Sequence, residues 1–241
     1  MNNWKKVWNK RKLPVPECKE LNEEINREDE NFLSELIKIN GFDGGSGKSD
    51  IAAVIWKVYR DLIKKCLNIQ DDDSLFEVGC GCGAMLYPFY NAGHTVGGID
   101  YSSKLIQYAI SILPKAELIC GDAFEINDIK YDFVISNSVF HYFSDYDYSS
   151  IVIKKMYEKA NKGIAVLDIP DLYLKEQCEN KRRYQVPDYH NKYKNLSHLY
   201  YPKGFFLDFA EKCGCSTLTL TRQNLLGYGY NNYRFNCFIV R

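Results

Sequence analysis

The stretch Leu75-Phe-Glu-Val-Gly-Cys-Gly-Cys-Gly83 decides how this chain is read. A short apolar run, the length of a buried strand, enters three glycines at alternate positions, and helix-like sequence follows over residues 83–91. Glycine adopts the left-handed backbone that such a turn needs, and it leaves no Cβ between the loop and an approaching ligand. A helix N-terminus behind the loop is expected to offer unpaired amides to a carboxylate or another anion. Any tight strand-to-helix turn can use glycines, so the loop alone does not identify a function.

The same rhythm extends downstream. Strand-like runs over residues 74–78, 94–99, 116–120, 133–136 and 163–168 alternate with helix-like segments over 83–91, 102–112 and 147–161. Strands joined by crossover helices predict a parallel sheet covered on both faces, with a ligand crevice at the strands' carboxyl ends where the order reverses near the first strand. A helix is predicted over 205–212. Strands over 216–221 and 233–240, separated by Gly227, Gly229 and Asn231-Asn232, predict an antiparallel hairpin. The fold class is therefore α/β, a doubly wound and mostly parallel seven-stranded sheet with an antiparallel C-terminal strand.

Upstream, residues 1–70 read as a helical cap. Trp4 and Trp8 share a helix face, residues 21–39 have helical order, and Asp50 looks like the N-cap of a helix through Ile55 and Ile63. Between these helices lies the glycine-rich segment from Gly41 to Ser49, including Gly44-Gly-Ser-Gly-Lys48-Ser49. It misses the phosphate-loop spacing because Phe42 stands where the first glycine is required. A flap over the cofactor is the preferred reading, and a plain flexible linker is the alternative. Residues 71–241 form the sheet domain, with a lid-like insertion at about 171–202 that reads as irregular and rich in Tyr, Asn and Lys.

Lys plus Arg and Asp plus Glu number 31 each, which gives no general attraction to nucleic acid. No apolar run approaches the ~20 residues that span a bilayer, and the N-terminus lacks an apolar leader, so a cytoplasmic protein without membrane or nucleic-acid partners is expected. Nine cysteines, an odd number, imply reduced thiols. The Cys80-Gly-Cys82 and Cys213-Gly-Cys215 pairs are tighter than ordinary zinc spacing, and no metal is expected.

Two further features give the glycine loop its meaning. Val96-Gly-Gly-Ile-Asp100 ends the second strand in a carboxylate able to accept both hydroxyl hydrogens of a ribose. Leu118-Ile-Cys-Gly-Asp122-Ala-Phe124 puts another at the end of the third, placed to accept from an adenine amine, with Phe124 or Tyr101 available to pack on the ring. At this point the sequence resembles the class I S-adenosylmethionine-dependent methyltransferases, from about residue 74 to 168 and more weakly to 241. The resemblance implies S-adenosylmethionine as cofactor and methyl transfer to an oxygen or nitrogen of a small-molecule acceptor. It implies that Glu77, Gly79, Gly81 and Gly83 surround the methionine part, that Asp100 holds the ribose, and that Asp122 with Ala123 holds the adenine; Tyr101, Ser102 and Phe124 are counted with the cofactor-binding residues. Asp132-Phe-Val-Ile-Ser-Asn137-Ser-Val-Phe-His141-Tyr142 is similar to the family's fourth-strand motif, whose end lines the junction of cofactor and acceptor.

His141 is the first candidate base, since imidazole titrates near neutral pH, and Tyr142 is the alternative. His190, His198, Tyr200 and Tyr201 lie in an aromatic-rich segment that offers a lid or acceptor wall, with ordinary packing around a loop the favoured reading for most of them. The Tyr200-Tyr-Pro-Lys and Tyr233-Arg-Phe-Asn runs are similar to bacterial methyltransferases that decorate sugars or other small metabolites. The competing readings are an NAD(P)-dependent oxidoreductase, because Gly79-x-Gly81-x-x-Ala84 also fits the dinucleotide fingerprint, and a non-catalytic protein binding an adenosyl ligand.

Overall fold

The computed structural model describes residues 4–11, 13, 26–42 and 51–241. The predicted flap over 43–50, the Asp50 cap and the start of the 21–39 helix lie outside them. Helices α1 (Trp4–Asn9), α2 (Asn26–Ile39) and α3 (Ala53–Leu67) precede the sheet. Then β1 (Leu75–Val78), α4 (Leu86–Asn91), β2 (Val96–Asp100), α5 (Ser103–Ile112), β3 (Glu117–Cys120), β4 (Tyr131–Asn137), α6 (Tyr146–Lys159) and β5 (Ala160–Pro170) follow. Helices α7 (Lys175–Gln185), α8 (Tyr189–Lys192) and α9 (Lys203–Cys213) lead to β6 (Thr217–Arg222) and β7 (Arg234–Val240).

The seven strands are ordered β3-β2-β1-β4-β5-β7-β6. The first five are parallel, and β7 runs antiparallel between β5 and β6. The order reverses between β1 and β4, so the expected crevice lies at their carboxyl ends. Because β7 is antiparallel, its first residue, Arg234, pairs with Pro170 at that same end. A register shift between Val166 and Ile169 leaves Asp168 in the left-handed region, with φ of 57°.

Each face of the sheet is covered. Trp56, Tyr59, Ile63 and Leu67 recur at helical spacing on the buried side of α3 and pack with Leu36, Leu75 and Phe133. Val152, Ile153 and Met156 of α6 pack with Phe76, Val134 and Phe206 on the other side. The N-cap of α3 is Ala52, whose side chain makes no capping bond. Among the described residues no helix is long and apolar enough to cross a membrane.

The stretch 171–202 departs from its irregular reading, since α7 and α8 occupy much of it. In α7 the buried residues are Cys178 and Arg182. One cysteine and one arginine four residues apart place a face toward the protein without leaving an apolar period to read.

Candidate active site

Three adjacent strand tips carry the expected groups. Gly79, Gly81 and Gly83 follow β1 with φ of 76°, 56° and 87°. A Cβ at Gly79 would collide with Val139, and one at Gly81 with Asn40. The amides of the loop itself are engaged within the protein. Gly79 and Cys80 donate to Ile99 O, Gly81 to Asp100 Oδ2, Cys82 to Asn40 Oδ1 and Gly83 to Cys80 O. The turn is so tight that its amides are consumed in holding it.

Glu77 in β1 is 1% exposed, and its Oε2 is buried without a hydrogen-bond partner. Burial, then the neighbouring Asp100, raises its carboxyl well above the ordinary value of 4.5. Such an oxygen is costly to leave unpaired, and a cationic group brought into the crevice would satisfy it. Asp100 ends β2. Its Oδ2 accepts from Gly81 N at 3.0 Å and its Oδ1 from Ser102 N at 2.8 Å. Burial pushes it up to about 6, and those two amides oppose the rise. Ser102 is buried and caps α5. Tyr101 is partly buried, with Lys5 Nζ 5.9 Å from its ring centre.

After β3, Asp122 and Glu125 form a capping box around a short 3₁₀ turn over Ala123–Glu125. Tyr148 of α6 donates to Asp122 Oδ1, and its ring meets the exposed Phe124 edge-on at 6.2 Å. The side chains at this tip are therefore prearranged from α6 as well as from their own loop. At the end of β4, Asn137 is buried with Oδ1 unpartnered. These donors and acceptors suit a ligand with a cationic amine, a diol and an aromatic amine, which fits an adenosyl amino acid.

A second cluster lies beyond β4 and β5. Ser138, with φ of 61°, donates to Asp168 Oδ2 at 2.6 Å, and Tyr228 donates to the same oxygen at 3.1 Å. Arg234 lies 3.8 Å from Asp168 Oδ1 and donates to the Asp168 carbonyl at 3.0 Å. His141 is 3% exposed, and its Nδ1 lies 3.4 Å from Arg234 Nη1. Burial, then Arg234, His198 and Arg182, holds its pKa well below the ordinary histidine value. Tyr142 is pushed up to about 12, chiefly by burial. Trp4 and Trp8 both rest on Tyr142, at 4.8 and 5.8 Å between ring centres, as their shared helix face requires.

Of the late aromatic segment, His198 joins this cluster, 5.2 Å from His141, and Tyr200 is buried near it. His190 is exposed. Tyr201 belongs to the core, with its hydroxyl bonded to Phe140 O and Ser149 Oγ. Cys80 and Cys82 are packed in the core, Cys82 Sγ lying 3.4 Å from Leu36 O. Sequence reading missed Asn40, Tyr148, Arg182 and Arg234. None has a local signature, since each reaches the site from a different helix or from the antiparallel strand.

The chain is similar to known methyltransferases. A family model described as a methyltransferase domain matches residues 76–163. An uncharacterized methyltransferase of Schizosaccharomyces pombe is 32% identical over 95 residues, covering 38% of this chain and 36% of that protein. One from Bacillus cereus is 28% identical over 126 residues, 51% of this chain and 58% of the relative. The matches thus span less than two thirds of these relatives. Magnesium protoporphyrin IX methyltransferase from Synechocystis PCC 6803, solved with S-adenosylhomocysteine, superimposes with a TM-score of 0.59 at 19% identity over 88% of this chain and 99% of that one. The plantazolicin methyltransferase BpumL, also solved with that product, gives 0.61 at 12% identity over 89% and 91%.

Proposed function

We propose, on the premise that this chain belongs to the class I S-adenosylmethionine-dependent methyltransferases, that it transfers a methyl group to an oxygen or nitrogen of a small-molecule acceptor. The observation that carries this reading is the convergence of Glu77, Asp100 and Asp122 at the ends of three adjacent strands, one of them with an unpaired buried oxygen. Glu77 and the glycine loop would hold the amino-acid tail, Asp100 with Tyr101 and Ser102 the ribose, and Asp122, Ala123 and Phe124 the adenine, with Asn137 at the junction.

When bound, the cofactor supplies a methyl carbon activated by a sulfonium. The chain's own work is alignment and the exclusion of water. Alignment is worth up to ~7–11 kcal/mol in favourable intramolecular models. Residues 1–70 contribute cover through Trp4 and Trp8, and 171–202 contribute it through α7 and His198. His141 is the candidate base. Its lowered pKa keeps it neutral, as a base must be, but also makes it a weak proton acceptor. Tyr142 stays protonated at neutral pH and serves as a hydrogen-bond donor. Two proteins of similar fold methylate magnesium protoporphyrin IX and plantazolicin, and the acceptor class proposed for this chain is a small molecule, carbohydrates included.

Thermal-shift measurements with S-adenosylmethionine, NAD and ATP test the cofactor assignment. Stabilisation by the first alone supports it, and stabilisation by NAD alone transfers the fold to the oxidoreductase reading. Release of S-adenosylhomocysteine with an acceptor from a metabolite screen separates an enzyme from a binding protein.

A further inference from the structure

We infer that Arg182 is the docking point for an anionic group, a carboxylate or phosphate, on the methyl acceptor; this rests on the methyltransferase reading. Arg182 lies in α7 and is 6% exposed. Among the described residues it meets no carboxylate. Its Nη1 donates to His198 Nδ1 at 2.5 Å, and its guanidinium sits 5.0 Å from the centre of the Tyr230 ring. Neither partner carries a negative charge at neutral pH.

Asp168, a buried carboxylate of the cluster, is held by other residues. Asp168 accepts from Ser138 and Tyr228 and faces Arg234. Arg182 is therefore a second buried guanidinium of the cluster, without a carboxylate of its own among the described residues. A buried cation without a counter-charge is strongly destabilising unless an anion completes it, and proteins keep such arrangements where a ligand does so. The planar fork of arginine matches carboxylate and phosphate oxygens in pairs.

Location ties this charge to the acceptor rather than to the cofactor. Arg182 reaches His198, whose ring lies 5.2 Å from that of His141 at the exit of β4. The cofactor groups sit on the other side, at the tips of β1, β2 and β3. The Trp4 ring lies 4.8 Å from that of Tyr142 and 4.7 Å from that of His198, centre to centre, and adds apolar surface beside this cluster. An acceptor held there by an anionic end would be fixed at one end and presented to the methyl at the other. Such anchoring binds remote parts of a substrate to position the reacting atom.

The test uses the full chain saturated with S-adenosylhomocysteine and titrated with sodium benzoate and, separately, with inorganic phosphate in chloride-free buffer. Saturable thermal stabilisation by one of them is expected, and the preferred anion tells carboxylate from phosphate. Arg182→Gln should weaken that binding by about tenfold or more, Arg182→Lys should weaken it less, and product affinity should stay unchanged. Absence of stabilisation by either anion, or equal stabilisation of Arg182→Gln, overturns the inference. If Arg182→Gln does not fold, wild-type crystals soaked with 4-bromobenzoate give the answer through the bromine signal. The carboxylate is then found on Arg182, or it is found elsewhere and the inference fails. Failure of S-adenosylhomocysteine itself to bind refutes the methyltransferase reading instead, and the anion titration without it still reports on Arg182.

Discussion

Replacing Glu77 by Gln tests whether the carboxylate in β1 is held for a ligand at the expense of the fold. The side chain is 1% exposed, with Oε2 unpaired, and burial raises its pKa well above 4.5. The folded chain therefore keeps a proton that the unfolded chain has released, and stability falls as pH rises from about 4.5 towards the folded value. One retained proton costs up to about 1.4 kcal/mol per pH unit. Gln keeps the shape and cannot ionise, so this loss should vanish in the variant. Asp100, at about 6, contributes in the same direction below that pH, and His141 and His198, held neutral in the fold, contribute in the opposite one. All three are common to both proteins, so the comparison is made above pH 6 and as a difference. Urea unfolding at pH 6 and pH 7 should show Glu77→Gln gaining up to about 1.4 kcal/mol over wild type across that interval. Saturating S-adenosylhomocysteine should reduce the gain, because its ammonium would stabilise the ionised carboxylate. Parallel pH dependences for the two proteins would refute the reasoning.

Asp100→Ala should unfold cooperatively but bind S-adenosylhomocysteine about 10–100-fold more weakly by calorimetry, the value of one charge-assisted hydrogen bond; unchanged affinity removes the ribose assignment. In the wild type the same binding should weaken as pH falls through about 6, where Asp100 takes up a proton and loses acceptor capacity, and a flat profile contradicts this. Asn40→Ala leaves Cys82 N and Cys80 O without their side-chain partner and should cost about 1–3 kcal/mol in urea unfolding. His141→Ala should lower kcat by about tenfold to a hundredfold with product affinity retained, and normal turnover would make His141 a packing residue.

The glycine loop and the two carboxylates were legible because each lies at the end of its own strand, where chemistry and chain order coincide. Seven strands and the late antiparallel pair were legible from alternation and turn residues for the same reason. The acceptor side was not. Arg182 sits on a helix with almost no apolar face, and Arg234 comes alongside Asp168 only because β7 inserts between β5 and β6. Asn40 reaches the loop from a helix that ends about forty residues before it. Contacts set by tertiary folding leave no periodic trace in the chain. The internal bonding of the loop amides was not legible either, because loop sequence reports backbone freedom, not what the amides bond once the turn has closed.

The most direct measurement is a crystal structure with S-adenosylhomocysteine. Its amine is expected beside Glu77, its ribose hydroxyls on Asp100 and its adenine against Asp122 and Phe124. A ligand seated away from these three strand tips, or none bound at saturating concentration, would contradict this placement.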